Sequence, residues 1–133
     1  MAGRTALRVH IPGRPATVMQ VLHTLARDGI RVEVFMGATG MDESRVEILC
    51  ADPDRATAVL RAADLPVDQV DVAVAWLPDM PACLAEACEA LGAAGIHVRS
   101  ACVIAVESER GQHVMIESPE AQRADQLLWA LQY

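Results

Sequence analysis

Few residues of this chain have the types and spacing that nucleophilic or metal chemistry requires. Cys83 and His97 are the only pair that suggests a nucleophile with a general base, and no third residue is placed to orient that histidine. No CxxC pair is present, and the other three histidines fall on different predicted elements without metal-ligand spacing. We therefore expect no enzymatic activity, no cofactor and no metal site, with reduced cysteines and exposed histidines at positions 10, 23 and 113.

One acidic residue stands where it could bind a ligand. Asp79 precedes a predicted helix that begins at Pro81, and proline is favoured at the first helical position because its missing N–H is not needed there. The N–H groups at a helix start attract an anion, and a carboxylate beside them attracts a cation. Asp79 could instead cap the helix, so the sequence leaves open whether this corner binds a dipolar small molecule.

The helix after Asp79 is the second copy of a pattern that occurs earlier in the chain. PGRPATVMQVLHTLARDGIRV (residues 12–32) and PDMPACLAEACEALGAAGIHV (residues 78–98) share seven identical positions, where chance would give about one or two. Apolar residues in both recur at i, i+3, i+4 and i+7, which predicts one face of an amphipathic helix. These residues are Val18, Val21, Leu22 and Leu25 in the first copy, and Leu84, Ala87, Cys88 and Leu91 in the second.

Each copy belongs to a longer unit with one order of elements. A glycine, Gly29 or Gly95, ends each helix in a left-handed conformation, and alternating residues directly after it predict a strand. The residues expected on one face are Val32, Val34 and Met36 in the first copy, and Val98, Cys102, Ile104 and Val106 in the second. A further strand and a second helix follow, with Asp52 and Ser118 as N-cap residues before a proline. The order βαββαβ predicts an α+β, ferredoxin-like fold with antiparallel sheets and both helices on one face.

The segment between the two copies is too short for two strands. Only residues 66–77 can close the first unit and open the second, and such a segment spans about 40 Å when extended. We expect one long strand to serve both units, and we place the units at residues 1–69 and 70–133, the second lacking a full last strand. The stretch DVAVAWL is apolar on both faces, and a strand of this kind is normally covered by other elements on both faces. This pattern predicts a homodimer.

Charge and hydropathy exclude several classes of partner. The net charge is −7 and the chain contains no lysine, whereas binding to nucleic acid requires clustered cations. No apolar run reaches the ~18 residues of a membrane span, and the first residues do not resemble a signal peptide. We expect a cytoplasmic protein without nucleic-acid or membrane partners.

The repeated pattern resembles a known family. DMPACLAEACEALGAAGIHV resembles the opening of an ACT domain, in which an acidic residue, Pro-Gly, an amphipathic helix and Gly-Ile precede a strand, with Pro-Ala standing here in place of Pro-Gly. GRPATVMQVLHTLARDGIRV is similar to it, so the resemblance covers nearly the whole chain as two ACT units in tandem, as in small bacterial proteins made of paired ACT units. The resemblance implies a ferredoxin-like fold and a regulatory module that binds a small molecule, typically an amino acid.

The resemblance also implies where the ligand binds. In ACT domains the ligand sits in the loop between the first strand and the first helix, often where two units meet. The corresponding positions are Ile11, Gly13, Arg14 and Ala16 in the first unit, and Leu77, Asp79, Met80 and Ala82 in the second. The polar residue after Gly-Ile falls on Arg31 and His97. We hypothesise that an amino-acid-like ligand binds near Asp79, Met80, Ala82, Cys83 and His97.

Three functions remain open at this point. We expect a regulatory module that senses an amino acid or a similar metabolite, and a regulated enzyme would then be its partner. The alternatives are a structural or protein-interaction module of the same fold without a ligand, and a small enzyme. A ligand bound at the Asp79 loop would distinguish the first function from the second.

Overall fold

The computed structural model describes residues 4–12, 16–39 and 43–131. Within them the chain forms elements in the order βαββαβαββα. The strands are β1 (Arg4–Pro12), β2 (Val32–Thr39), β3 (Glu43–Cys50), β4 (Val67–Leu77), β5 (Ser100–Glu107) and β6 (Gly111–Glu117). The helices are α1 (Ala16–Arg27), α2 (Pro53–Ala62), α3 (Pro81–Ala93) and α4 (Ala121–Ala130). The chain divides into two compact units inside β4, between Val70 and Asp71.

The segment that joins the two copies is one uninterrupted strand. β4 runs for 11 residues without a turn, which confirms the expectation of a single strand. It lies beside β1 in the first unit and beside β6 in the second. Residues 72–77, its late part, pair with β6, and the same strand therefore serves both units.

The first unit has the ferredoxin-like arrangement that the sequence predicts. Its sheet order is β2-β3-β1-β4, and β3 pairs antiparallel with both β1 and β2. Both helices pack on one face of this sheet, where the side chains that fill the core are almost entirely buried. This core includes Leu7, Val9, Val21, Leu25, Val46, Ile48 and Leu60. On the other face, Arg8 pairs with Glu47 at 3.2 Å.

The second unit repeats the arrangement with three strands. Its sheet order is β4-β6-β5, and β6 pairs antiparallel with both neighbours. Helices α3 and α4 bury their apolar stripes against one face of the sheet. The core consists of Ala73, Ala75, Leu77, Cys83, Ala87, Leu91, Ile96, Val114, Ile116, Ala124 and Leu128. Within the described residues, which end at Leu131, no strand follows α4.

The two first helices end in the same way. Gly29 and Gly95 have φ angles of +67° and +76°, as expected for left-handed glycines after a helix. The amide of Ile30 donates to the carbonyl of Leu25 at 3.1 Å, and the amide of Ile96 donates to that of Leu91 at 2.9 Å. The identical Leu, Gly and Ile of the two copies therefore build the same helix end twice.

Strand alternation is less regular than expected. A bulge between Val32 and Val34 turns Val32 toward the core, whereas Val34 pairs with Leu49 on the opposite face. In the second unit β5 begins only at Ser100, and its register shifts between residues 103 and 105. Placing each set of alternating residues on one face was therefore wrong, because a bulge inserts a residue that reverses the following side chains.

The second helices differ at their N-termini. The carboxylate of Asp52 accepts a hydrogen bond from the amide of Arg55 at 3.1 Å, which confirms the predicted cap of α2. The prediction of Ser118 as the cap of α4 is wrong, since that helix begins at Ala121 with Glu120 as its N-cap residue. The hydroxyl of Ser118 instead accepts from the amide of Glu120 at 3.1 Å and forms a turn before the helix.

Candidate functional site

The loop from β4 to α3 is short and leaves its acidic residue in solvent. The amide of Met80 donates to the carbonyl of Pro78 at 2.8 Å, and the amide of Cys83 donates to the carbonyl of Met80 at 3.0 Å. Met80 is the N-cap residue of α3 in an extended conformation, and its side chain makes no capping hydrogen bond. Asp79 lies just before the cap with its side chain exposed. The helix start therefore keeps its attraction for an anion, and Asp79 faces solvent beside it.

The turn between β5 and β6 packs against this loop. Gly111 has a φ of +94°, and a Cβ at this position would overlap the carbonyl oxygen of Leu77. The buried side chain of Gln112 donates from Nε2 to the carbonyl of Pro78 at 3.0 Å. These contacts hold the end of β4 and the start of β6 together, so the turn at residues 108–110 stands over the loop before α3.

An aromatic residue at the end of β4 organises the charged side of the site. The rings of Trp76 and His113 stack with centroids 4.3 Å apart and nearly parallel planes, at 3°. The guanidinium carbon of Arg110 lies 4.2 Å from the Trp76 ring centroid, a cation–π contact. Arg110 also lies 3.9 Å from a carboxylate oxygen of Glu107. Trp76 of β4, His113 of β6 and Arg110 of the turn between β5 and β6 therefore form one group of contacting side chains.

The end of β4, the loop after it and the turn before β6 line an open surface cavity of about 700 Å³, which we call the second-unit cavity. This volume lies in the range of small-molecule sites. The lining residues are Trp76, Leu77, Pro78, Asp79, Ser108, Glu109, Arg110 and Gly111. The cavity thus combines an apolar wall with both signs of charge, an arrangement that suits a dipolar small molecule.

The structure separates the second-unit residues that the sequence grouped together. Asp79 lines the second-unit cavity, and the buried Leu77 lines it as well. Met80 is 55% exposed at the helix start, and Ala82 is exposed in the first turn. The side chain of Cys83 is buried in the core. Of these residues, Leu77 and Asp79 line the second-unit cavity, while the side chain of Cys83 belongs to the core.

The polar residues after Gly-Ile lie at the other end of the first helices. His97 follows α3, whose 13 residues separate it from Asp79 by about 20 Å at 1.5 Å per residue. Arg31 follows α1 in the same way, and both side chains are exposed. The second unit by itself therefore does not bring His97 to Asp79.

The corresponding corner of the first unit is only partly described. Gly13 and Arg14 lie outside the described residues, as do the side chains of Ile11 and Ala16. The backbone places Ile11 near the end of β1 and Ala16 at the start of α1.

Trp76 and Arg110 line the second-unit cavity, although the sequence analysis does not predict them as site residues. His113, which the sequence predicts to be exposed, is half-buried and stacks on Trp76. The signal for Arg110 was the strand order, because in an antiparallel pair the start of β6 must lie beside the end of β4. The hairpin before β6 therefore had to meet the loop after β4.

In the ranges 4–12, 16–39 and 43–131, no group of three or more His, Cys, Asp or Glu residues is arranged to hold a metal ion. None of the four cysteines, which all lie within the described residues, forms a disulfide bond. None of the described helices has the length and apolar character needed to cross a membrane.

The fold is similar to several solved structures. Protein BT0572 from Bacteroides thetaiotaomicron has a TM-score of 0.83 at 20% identity, covering 96% of this chain and 88% of that one. The regulatory subunit of aspartate kinase from Thermus thermophilus, in its ligand-free form, has a TM-score of 0.65 at 17% identity, covering 98% and 93%. The corresponding subunit from Thermus flavus has a TM-score of 0.63 at 13% identity, covering 98% and 92%.

Sequence comparison assigns the family. No curated protein matches this chain significantly in sequence. The sequence model of the ACT domain pair matches residues 4–128, nearly the whole chain. Together with the duplicated ferredoxin-like units, this match shows that the chain belongs to the ACT domain pair family.

Proposed function

We propose that this chain is a regulatory module that binds an amino acid in the second-unit cavity. The observation that carries the proposal is that Asp79 and Arg110, which have opposite charges, line one small cavity with an apolar wall. An amino acid carries a carboxylate and an ammonium group close together, so it complements both. Membership of the ACT domain pair family supports the same class of ligand.

Each part of the corner has a role in this proposal. The guanidinium of Arg110, held against Trp76, binds the ligand carboxylate, since arginine presents paired donors to carboxylates. The uncapped start of α3, at Met80 and Ala82, adds a favourable partial charge for the same group. Asp79 binds the ammonium group, and Leu77 contributes apolar surface.

Calorimetric titration with the twenty amino acids tests this proposal. We expect heat of binding for at least one of them, and weaker binding in Asp79→Asn and in Arg110→Gln. Asp71→Asn and Arg99→Gln are matched controls, because both residues are exposed and line no part of the cavity. If no amino acid releases heat or shifts the melting temperature, the ligand-binding proposal fails and an interaction module is the better description.

One observation favours an interaction role as a second candidate. Val103 and Val106 on β5, the last strand of the second unit's sheet, are 44% and 58% exposed. Apolar side chains on an edge strand promote pairing with another strand. We infer that two copies of the chain associate as a homodimer, and Val106→Glu should weaken this association. Sedimentation that shows wild-type monomers at micromolar concentration would contradict it.

A regulatory output requires a protein that responds to the ligand. The neighbour from Thermus thermophilus is a regulatory subunit of aspartate kinase, and by this likeness we propose an enzyme as the regulated partner. We also propose a cytoplasmic setting, where cysteines remain reduced, because the four cysteines form no disulfide bond. A ligand regulates only if it favours one conformation over another. Hydrogen exchange should therefore change outside the second-unit cavity when the amino acid binds, and unchanged exchange there would contradict regulation.

A further inference from the structure

We propose that the ligand of the second-unit cavity is a basic amino acid, one whose side chain ends in a cation. This inference rests on the proposed function and adds specificity to it. The charged groups that line the cavity are the carboxylates of Asp79 and Glu109 and the guanidinium of Arg110. The cavity thus offers one cation and two anions.

The head group of an amino acid uses only two of these charges. Arg110 and Asp79 bind its carboxylate and ammonium groups, which leaves Glu109 at the cavity wall. Among the described residues, Glu109 has no ion-pair partner. Because Glu109 is exposed, a neutral ligand gains nothing from its carboxylate, whereas an acidic ligand would place a like charge beside it. A basic side chain gains an ion pair with this carboxylate.

The remaining cavity wall suits the stem of such a side chain. Trp76, Leu77 and Pro78 are the apolar lining residues. Basic side chains bury their methylene groups along apolar surface and keep the charged end in water. A ligand of this class can therefore lie along the wall with its head group between Asp79 and Arg110 and its cationic end at Glu109.

The net charge of the whole chain also favours a basic ligand. The net charge of −7 attracts a cationic ligand more than a neutral or anionic one. This general attraction is screened by salt, and so is an ion pair at an exposed site. The preference for a basic ligand should decrease as the salt concentration rises.

The test compares ligands of similar shape and different charge. Trp129→Phe leaves Trp76 as the single tryptophan, so its fluorescence reports on the cavity wall. In this background we would titrate L-lysine and L-ornithine against L-norleucine, L-glutamine and L-glutamate. We expect lysine to bind about fivefold more tightly than norleucine, the upper end for one exposed ion pair.

A substitution then assigns the preference to one carboxylate. In Glu109→Gln the affinity for lysine should fall to that for norleucine, while the affinity for norleucine stays unchanged. Glu89→Gln, an exposed carboxylate on α3 outside the cavity, removes the same net charge and should keep the preference.

The possible results distinguish the preference for a basic ligand from amino-acid binding itself. Equal binding of norleucine, glutamine or glutamate overturns the basic-ligand inference and leaves amino-acid binding intact. A lysine preference that persists in Glu109→Gln, or that disappears equally in Glu89→Gln, also overturns the inference. Binding of none of these compounds, nor of any of the twenty amino acids in the calorimetric titration, overturns the proposed function and with it the inference.

Discussion

The guanidinium carbon of Arg110 lies 4.2 Å from the centroid of the Trp76 ring, and this contact links the turn after β5 to the end of β4. His113 stacks on the same indole from the neighbouring strand. Because Trp76 is held by the sheet, it restricts the positions that the arginine side chain can adopt. The cavity therefore presents its cation in a defined place, although that side chain is largely exposed.

Replacing Trp76 should weaken binding in the second-unit cavity. Trp76→Leu removes the face on which Arg110 rests, a contact worth about 0.5–1 kcal/mol at an exposed site. We expect the affinity for the amino acid to fall about two- to fivefold by calorimetry. Trp129→Leu is the control, because Trp129 is 58% exposed on α4 and lines no part of the cavity. Equal affinities of the two variants would exclude this role of Trp76.

The close approach at Gly111 should not tolerate a side chain. Gly111→Ala places a methyl group against the Leu77 carbonyl and requires a left-handed conformation. We expect a loss of at least about 2 kcal/mol in the free energy of unfolding, measured with urea. Gly92→Ala in α3 is the matched control, since nothing lies near its Cβ position. Gly92→Ala should raise the free energy of unfolding by about 0.5–1 kcal/mol. If both variants lowered the free energy of unfolding by similar amounts, the close approach at Gly111 would be refuted.

The repeated leucines should contribute alike to the two cores. Leu25 and Leu91 occupy identical positions of the two copies and are 1% and 0% exposed. Leu25→Ala and Leu91→Ala should each destabilise the protein by about 2–5 kcal/mol. Leu22→Ala should cost less than either, because Leu22 is 37% exposed. Urea unfolding of the three variants measures the loss of stability in each. If Leu25→Ala or Leu91→Ala destabilised the protein less than Leu22→Ala does, the result would count against two duplicated cores.

The buried acid on α4 should make stability depend on pH. Burial raises the pKa of Asp125 above its ordinary value of 3.8. Because the pKa is higher in the folded state, the protonated form stabilises the fold. This contribution is complete below the unfolded pKa and is lost as the pH rises through the folded pKa.

Asp125→Asn tests this dependence. From about pH 3 to about pH 7, the variant should become progressively more stable relative to the wild type, because the amide never carries the buried charge. Urea unfolding at several pH values gives the difference. Asp71→Asn, at an exposed position, should show no such trend. A constant difference between Asp125→Asn and wild type would contradict the assignment.

Much of the fold could be predicted because its signals are local. The glycines that end α1 and α3 depend on residues within one or two turns, and the structure confirms them. The predicted stripes are confirmed in part, because Val21, Leu25, Ala87 and Leu91 are buried whereas Leu22 is 37% exposed. The single strand β4 followed from length alone, since its segment cannot contain two antiparallel strands. The start of α4 was misplaced because Ser118 formed a turn with Glu120, and both a turn and a cap satisfy a serine hydroxyl.

The sequence by itself determined the duplicated elements, the helix ends and one acidic residue of the site, Asp79. Only the tertiary structure decided that Arg110 and Glu109 face the same cavity as Asp79 and that Asp125 is buried. The reason is that strand pairing brings together residues far apart in the chain, such as Gln112 and Pro78, which are 34 positions apart and share a hydrogen bond. No local pattern of residues encodes such a contact, because it depends on the register between β4 and β6.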